Sequence, residues 1–265
     1  MNKVALVSGA GSGLGEAMAK LLHEKGYTVY GTSRSSKSDL SGVHFLQMDF
    51  NDLSSIQRAT DFISSKHGKL DLLINNAGAG VIGPLEYTDS LTVTNAFQAN
   101  TFGPMELSRC CIPLLKKSPG ARIVAISTIA GELGLPFRGI YSASKSALEL
   151  YMESLSMELK SFGISVQIIQ PGDFASDIAS KRFQPNLPVN NEYPRYLPII
   201  QQVNDEVNDA WTSDVMAAKI IKQVLRSNPP LRKRVAPFMQ RLSITLKHIL
   251  PSRLFEKILM NHYKI

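Results

Sequence analysis

Cysteine is almost missing from this chain: two residues in 265, and they are neighbours, Cys110 and Cys111. An adjacent pair cannot staple distant segments, so a disulfide framework is excluded. No residues stand at zinc-ligand spacing, and no metal is expected. Long apolar runs are missing too. Val4 to Val7 follows Met1-Asn2-Lys3 directly and ends at a glycine cluster, too short for a secretory leader or a membrane span. The expectation is a reducing, cytoplasmic setting. Charged residues reach only 19% against 44% hydrophobic, which excludes a disordered chain and fits one globular domain.

The charge that is present is unevenly placed. Met1 to Leu225 carries 20 basic and 21 acidic residues, whereas Arg226 onward carries 9 basic residues and one acid, Glu256. A near-neutral body with a basic tail does not make a nucleic-acid-binding face. In the tail Phe238, Leu242, Leu246, Ile249 and Leu250 recur at three and four residues, and Leu254, Phe255, Ile258 and Leu259 resume after Pro251. This predicts two amphipathic helices or one kinked helix. Such a stripe serves as core or as a homo-oligomer interface. The alternative, given the interspersed Arg241, Lys247, Arg253 and Lys257, is peripheral contact with an anionic membrane.

The first half alternates short β-branched runs with helical patterns. Strands are predicted at Val4–Val7, Tyr27–Thr32, Val43–Met48, Leu70–Ile74, Ile123–Ile126 and Ser165–Ile169, with helices over Leu14–Glu24, Leu53–Ser65 and Ser142–Lys160. Strands and helices in this order imply an α/β fold: a single doubly wound Rossmann-type domain, its parallel sheet covered by helices on both faces. Residues 1–228 form the catalytic domain in this reading. Within it, residues 176–209 are broken by Pro185, Pro188, Pro194, Pro198 and Asn190-Asn191 and form a substrate lid. Residues 229–265 are a basic helical extension.

The first strand runs into Ser8-Gly9-Ala10-Gly11-Ser12-Gly13-Leu14-Gly15. Glycines here let the backbone turn tightly and approach a pyrophosphate, whose charge the helix amino terminus stabilises. The second strand ends at Thr32-Ser33-Arg34, followed by Ser35, Ser36 and Lys37, with no acid before Asp39. A carboxylate at that point favours a free ribose 2′-hydroxyl, whereas Arg34 beside Ser33 accommodates a 2′-phosphate, so NADP(H) is expected over NAD(H). Asp49-Phe50 follows the third strand, where the Asp49 side chain can reach the adenine amino group. Asn75-Asn76-Ala77-Gly78 closes the fourth strand and suits a ribose wall.

Tyr141 and Lys145 stand four apart at the start of a predicted helix, which stacks them on one face. A phenol ionises near pH 10, and a nearby ammonium is expected to lower that value toward the working range of a proton donor or acceptor.

With these residues in place the sequence resembles the short-chain dehydrogenase/reductase family, over roughly Lys3 to Ser176. The glycine turn, Asn75-Asn76-Ala77-Gly78, Asn100-Thr101-Phe102-Gly103, the Tyr141/Lys145 pair and Pro171-Gly172 occur in family order and spacing. The resemblance implies a catalytic tetrad of Asn100, Thr128, Tyr141 and Lys145. Tyr141 is then the acid in reduction and the base in oxidation, Lys145 tunes it and holds the nicotinamide ribose, and Asn100 supports a water in the proton relay. Pro171-Gly172 is implied to border the nicotinamide, with Phe174 beside it, and Ser176 to contact the carboxamide. Thr128 departs from the family's usual serine, and Ser127 is adjacent. In an extended segment the two point to opposite sides, and spacing favours Thr128.

The segment before Tyr141, Glu132 to Gly139, is largely apolar. Phe174, Phe183, Tyr193, Tyr196, Leu197 and Trp211 are expected to line or cover the pocket. A lipophilic ketone or secondary alcohol follows as substrate, and the segment and helical carboxyl end are similar to those of hydroxysteroid and retinol dehydrogenases. The alternative is a non-catalytic NADP(H)-binding regulatory or interaction protein, which is expected to lack the tyrosine or the lysine. Both are present.

Overall fold

Val4–Val7 (β1) and Leu72–Asn75 (β4) are buried at every position. Strands without an exposed edge or face belong at the centre of a parallel sheet covered on both sides, and that is where they lie in the computed structural model, which describes residues 2–175, 182–185 and 192–265. The remaining sheet strands are β2 (Thr28–Ser33), β3 (Val43–Gln47), β5 (Arg122–Ile126), β6 (Ser165–Pro171) and, after a short parallel pair β7 (Phe174–Ala175) and β8 (Trp211–Thr212), β9 (Arg232–Val235). The seven-stranded sheet has the order β3-β2-β1-β4-β5-β6-β9, all parallel.

Helices cover both faces. On one, α2 (Leu53–His67), α4 (Gly103–Leu115) and α5 (Gly139–Glu158) bury Ile56, Ile63, Leu107, Cys111, Leu148 and Met152 against the sheet. On the other, α1 (Gly13–Glu24) and α7 (Ser213–Val224) bury Met18, Leu22, Met216 and Ile220. Strand order reverses between β1 and β4, so their carboxyl ends diverge and open the crevice that binds ligands in such sheets.

Three segments differ from the sequence expectation. No element is read between Ile74 and Ile123, yet α3 (Ser90–Phe97) runs through a π turn (Gln98–Phe102) into α4. Residues 196–208 of the expected lid form a regular helix, α6 (Tyr196–Asn208), which buries Tyr196, Ile199, Ile200, Val203 and Val207. Pro198 lies in its first turn, where a missing N–H costs nothing. The extension expected to be helical from residue 229 begins instead with β9, paired to β6 from Ile168↔Arg232 to Pro171↔Val235. The domain therefore does not end at residue 228. Beyond it the chain forms two helices separated at Pro251, α8 (Phe238–Ile249) and α9 (Ser252–Tyr263). Ile244, Phe255 and Tyr263 pack on Ile129, Leu133, Leu135, Ile199 and Val203 in a third apolar cluster. Among the described residues no helix is long and apolar enough to cross a membrane.

Strand β9 is held by charge. Arg232 and Arg234, two apart and so on one face, reach acids below: Arg232 contacts Glu149 and Glu153 on α5, and Arg234 lies 3.0 Å from Glu132. Glu149 is only 2% exposed and also accepts from Ser127 Oγ at 2.5 Å and Gln170 Nε2 at 2.9 Å. Arg232→Met strands that buried carboxylate without its cation and is expected to cost of the order of 3 kcal/mol in urea unfolding. Adding Glu149→Gln should recover most of the loss, and a double variant no more stable than the single one contradicts this account.

Candidate active site

The crevice is built first from small residues. Gly9 turns the chain after β1 with φ +67, and a Cβ there would lie 2.9 Å from Ala77 Cα. Only glycine meets both demands. A Cβ on Gly15 would strike the Gly9 carbonyl, so α1 can begin this close to the turn only because Gly15 lacks one. Ser8, fully buried, ties the two sides together: its Oγ accepts from the Asn76 and Ala77 amides at 2.9 and 3.0 Å, while Asn76 Nδ2 donates to the Ser8 and Gly9 carbonyls. Ser12 caps α1 in extended geometry with its hydroxyl not used on the helix, and the first-turn amides, Gly13 to Gly15, have no partner within the helix. A Cβ on Gly11 would lie 3.2 Å from Ser33 Oγ and 3.3 Å from Lys37 Cε, and the Lys37 ammonium donates to the Gly11 carbonyl. Arg34 beside them is exposed. Bare amides, a hydroxyl and two cations around one turn fit a pyrophosphate and an additional phosphate.

Two predicted contact residues serve differently. Leu14 is 6% exposed and belongs to the core under α1, and the Phe50 ring packs against Gly103 at 7% exposure. Their side chains are spent on packing and only their backbones remain for a ligand. Asp49 accepts from the Asn51 amide at 3.0 Å and shapes the turn after β3. Ser176 lies outside the described residues.

Deeper in the crevice, α5 brings Tyr141 and Lys145 forward on its first turns. Lys145 is 4% exposed, and its ammonium donates to the Ile126 carbonyl at the end of β5 at 3.0 Å. Burial pulls its pKa down to about 8, against an upward pull from Glu149 one turn further along α5. A Cβ on Gly78 would come 2.8 Å from Asn100 Oδ1 and 3.2 Å from Lys145 Nζ, so Gly78 leaves the cradle into which both point. Asn100, in the π turn, is wholly buried. Its Oδ1 accepts from Ala79 N at 2.8 Å, and its Nδ2 donates to Ala79 O at 2.9 Å and Ser144 Oγ at 3.0 Å. Ser144 in turn donates to the Tyr141 carbonyl at 2.8 Å. Asn100 thus fixes the start of α5 against the loop after β4.

Ser127 and Thr128 diverge as their extended backbone requires. Ser127 points to Glu149, whereas Thr128 caps the next turn through Ala130 N at 3.2 Å and favours the ionised Tyr141 phenol through its hydroxyl. Burial nonetheless raises the Tyr141 pKa, opposed by Thr128 and by the charges of Arg182 and Arg138. The expectation that Lys145 lowers this pKa is not met here, because its ammonium is turned to the Ile126 carbonyl. The two arginines supply the favourable charge instead.

Tyr141 and Thr128 open into a cavity of about 500 Å³. Its walls include Ile129, Leu133 and Leu135 from the segment before α5, and Leu246, Phe255 and Leu259 from α8 and α9. Pro171, Gly172 and Phe174 line it from the end of β6. Of the aromatics expected there, only Phe174 takes part. Tyr196 stacks edge-on with Phe137 at 5.2 Å, Trp211 lies under the Lys219 ammonium at 4.3 Å, and Leu197 is 64% exposed. The acids and arginines facing the cavity, Arg138, Asp173, Arg182 and Glu206, went unread in the sequence, as did the roles of Ser8 and Ser144. The acids and arginines stand at no motif position, and only the fold brings them in.

A family model described as short chain dehydrogenase matches residues 3–186. The chain belongs to that family. As a short-chain dehydrogenase it is a nicotinamide-dependent oxidoreductase of a small organic substrate. It is 35% identical to 3-ketodihydrosphingosine reductase of Bacteroides thetaiotaomicron over 265 residues, covering 99% of this chain and 98% of that one. It is 31% identical to human retinol dehydrogenase 8, over 88% of this chain and 81% of the other. A short-chain dehydrogenase structure from Streptomyces avermitilis superposes with a TM-score of 0.82 at 26% identity, over 100% of this chain and 96% of that one.

The buried ammonium sets a pH limit. Lys145 is protonated below about 8 and loses its charge as pH rises through that value, and kcat/KM reports such free-enzyme ionisations. The profile of kcat/KM for the nicotinamide nucleotide is expected to fall above about 8. Glu149→Gln removes an upward pull and should move the break to lower pH. A break unmoved by this substitution separates the profile from Lys145.

Proposed function

We propose that this short-chain dehydrogenase moves hydride between NADP(H) and a lipophilic ketone or secondary alcohol. One observation carries the reading: the Tyr141 hydroxyl, beside Thr128, opens into a cavity walled by aliphatic side chains from α8, α9 and the segment before α5. A substrate carbonyl placed against Tyr141 and Thr128 meets two hydroxyl groups, and its alkyl parts meet the aliphatic walls. The names of the two relatives, a ketosphingoid reductase and a retinol dehydrogenase, denote lipids and support this choice.

In this reading the catalytic residues are Asn100, Thr128, Tyr141 and Lys145. The bound nicotinamide supplies or takes the hydride. Thr128 donates to the substrate oxygen and holds it in line with the phenol. Tyr141 gives that oxygen its proton in reduction and takes it back in oxidation, with Arg138 and Arg182 stabilising the phenolate left behind. Lys145 would hold the ribose hydroxyls of the nucleotide, and Asn100 keeps α5 in register with the crevice. Gly9, Gly11, Ser12, Gly13, Gly15, Asn76, Ala77, Gly78, Pro171 and Gly172 form the cofactor's walls. Ser33, Arg34 and Lys37 would hold the 2′-phosphate.

Tyr141→Phe is expected to lower kcat by about 10²- to 10⁴-fold while NADPH binding persists; unchanged turnover removes Tyr141 from the chemistry. NADPH should be preferred to NADH in kcat/KM. Arg34→Ser combined with Lys37→Ser should cut that preference by about tenfold or more, the worth of charged hydrogen bonds to a phosphate. Equal use of both nucleotides by the unaltered protein argues against the 2′-phosphate site. A panel from sugars to long-chain ketones tests the substrate class, and activity confined to sugars ends the lipophilic reading.

A further inference from the structure

Asp173 is an acid that the hydride and proton steps leave unused. It follows Pro171-Gly172 at the end of β6 and lines the cavity with Tyr141 and Thr128. Asp173 and Tyr141 therefore face the same cavity. An acid in an aliphatic pocket costs stability unless something repays its desolvation, and its surroundings show what is on hand.

The side chain is held deliberately. Gln240 on α8 donates through Nε2 to Asp173 Oδ2 at 2.8 Å, and the Asp173 amide donates to Gln240 Oε1 at 3.2 Å. A Cβ on Gly172 would collide with Gln240 Oε1, so the clamp closes only over glycine. It leaves Asp173 Oδ1 with no donor among the described residues, and no ion pair reaches the carboxylate. Burial raises the pKa of Asp173, and the Glu206 carboxylate adds to the rise, while Arg138 and Arg182 act to lower it. Both guanidiniums are engaged elsewhere, Arg138 with the Tyr263 hydroxyl at 2.5 Å and Arg182 with Asn204 Oδ1 at 3.1 Å.

A fixed carboxylate with one free oxygen, in the same cavity as the proton donor for a carbonyl, is complementary to a cationic N–H group on a substrate bound there. We propose that Asp173 binds an ammonium on the carbon next to the reacting carbonyl, making the substrate a long-chain 2-amino ketone. This rests on the reductase reading above and adds the polar end of the substrate to it. The nitrogen is bound and takes no part in bond making: hydride goes to the carbonyl carbon and the Tyr141 proton to its oxygen. The alkyl chain lies along Leu133, Leu246, Phe255 and Leu259. An anionic head group held by Arg138 and Arg182 is the competing arrangement. It is disfavoured because both guanidiniums already donate to Tyr263 and Asn204, and because two carboxylates, Asp173 and Glu206, line the same cavity and repel an anion.

The test uses the full chain with NADPH and four ketones of equal length: a 2-amino-3-ketone, its N-acetyl derivative, the unsubstituted 3-ketone and a 3-oxo carboxylic acid. The amino ketone is expected to exceed the N-acetyl and unsubstituted compounds in kcat/KM by about 10- to 100-fold, as for a hydrogen bond to a charged group. Asp173→Asn should collapse the ratio of amino to unsubstituted ketone, and Gln240→Leu, which frees the clamp, should reduce it in part. NADPH fluorescence on binding confirms that each variant is folded. Turnover of the plain ketone with no advantage for the amine overturns the Asp173 assignment and leaves the reductase reading standing. Preference for the oxo acid, lost in Arg138→Met, also overturns it and gives the head group to the arginines. No turnover of any of the four, with either nucleotide, overturns both readings together.

Discussion

A buried ammonium is the constraint around which this protein is arranged. Lys145 sits at 4% exposure, and an ion taken from water needs compensation from its surroundings. One carbonyl, that of Ile126, accepts from it directly. The larger share is indirect: Glu149 on the same helix supplies negative charge, and Glu149 is itself kept by Ser127, Gln170 and Arg232. Strand β9 therefore has an electrostatic role in the crevice, although it lies at the sheet's edge far along the chain. Its two arginines also satisfy the need of an edge strand for charge that discourages further pairing.

The same economy explains why Ser127 and Thr128 are not interchangeable. Adjacent residues of an extended segment face opposite ways, and one side is the Glu149 network while the other is the cavity with Tyr141. Thr128 retains the hydroxyl that this second side needs. Its branched side chain is stiff and is further fixed by capping Ala130, so the donor is preorganised.

Much of this was legible in the residues. The strand core reads from uninterrupted apolar runs such as Val4–Val7 and Leu72–Ile74, since burial on both faces leaves no room for alternation. The glycine turn reads because Gly9 and Gly15 have steric reasons that no other residue satisfies. Other parts resist reading for equally physical causes. Gly103 and Pro104 sit mid-way between α3 and the end of α4, and the intervening π turn breaks a 3.6-residue period. Pro194 and Pro198 mask α6, though its buried stripe from Tyr196 to Val207 is regular. Arg232-Lys233-Arg234 looks like a solvated run until the acids facing it are known. The cavity was the least legible, because Phe183, Tyr196 and Trp211 are as apt for core or surface as for a pocket, and tertiary packing alone buries Tyr196, half-buries Trp211 and leaves Phe183 exposed. Leu14 and Phe50 show the same limit, being in the right loops but turned inward.

The crevice floor is complete by Gly172, whereas much of the apolar roof comes from Phe238 to Tyr263, after the stretch shared with the family as a whole. Reducing equipment and guest room are thus written in successive portions of the chain and meet only along the Gly172, Asp173 and Gln240 seam. Drift in the segment from Phe238 onward can reshape what is admitted without disturbing the redox step, and a lineage can change its diet while keeping its chemistry.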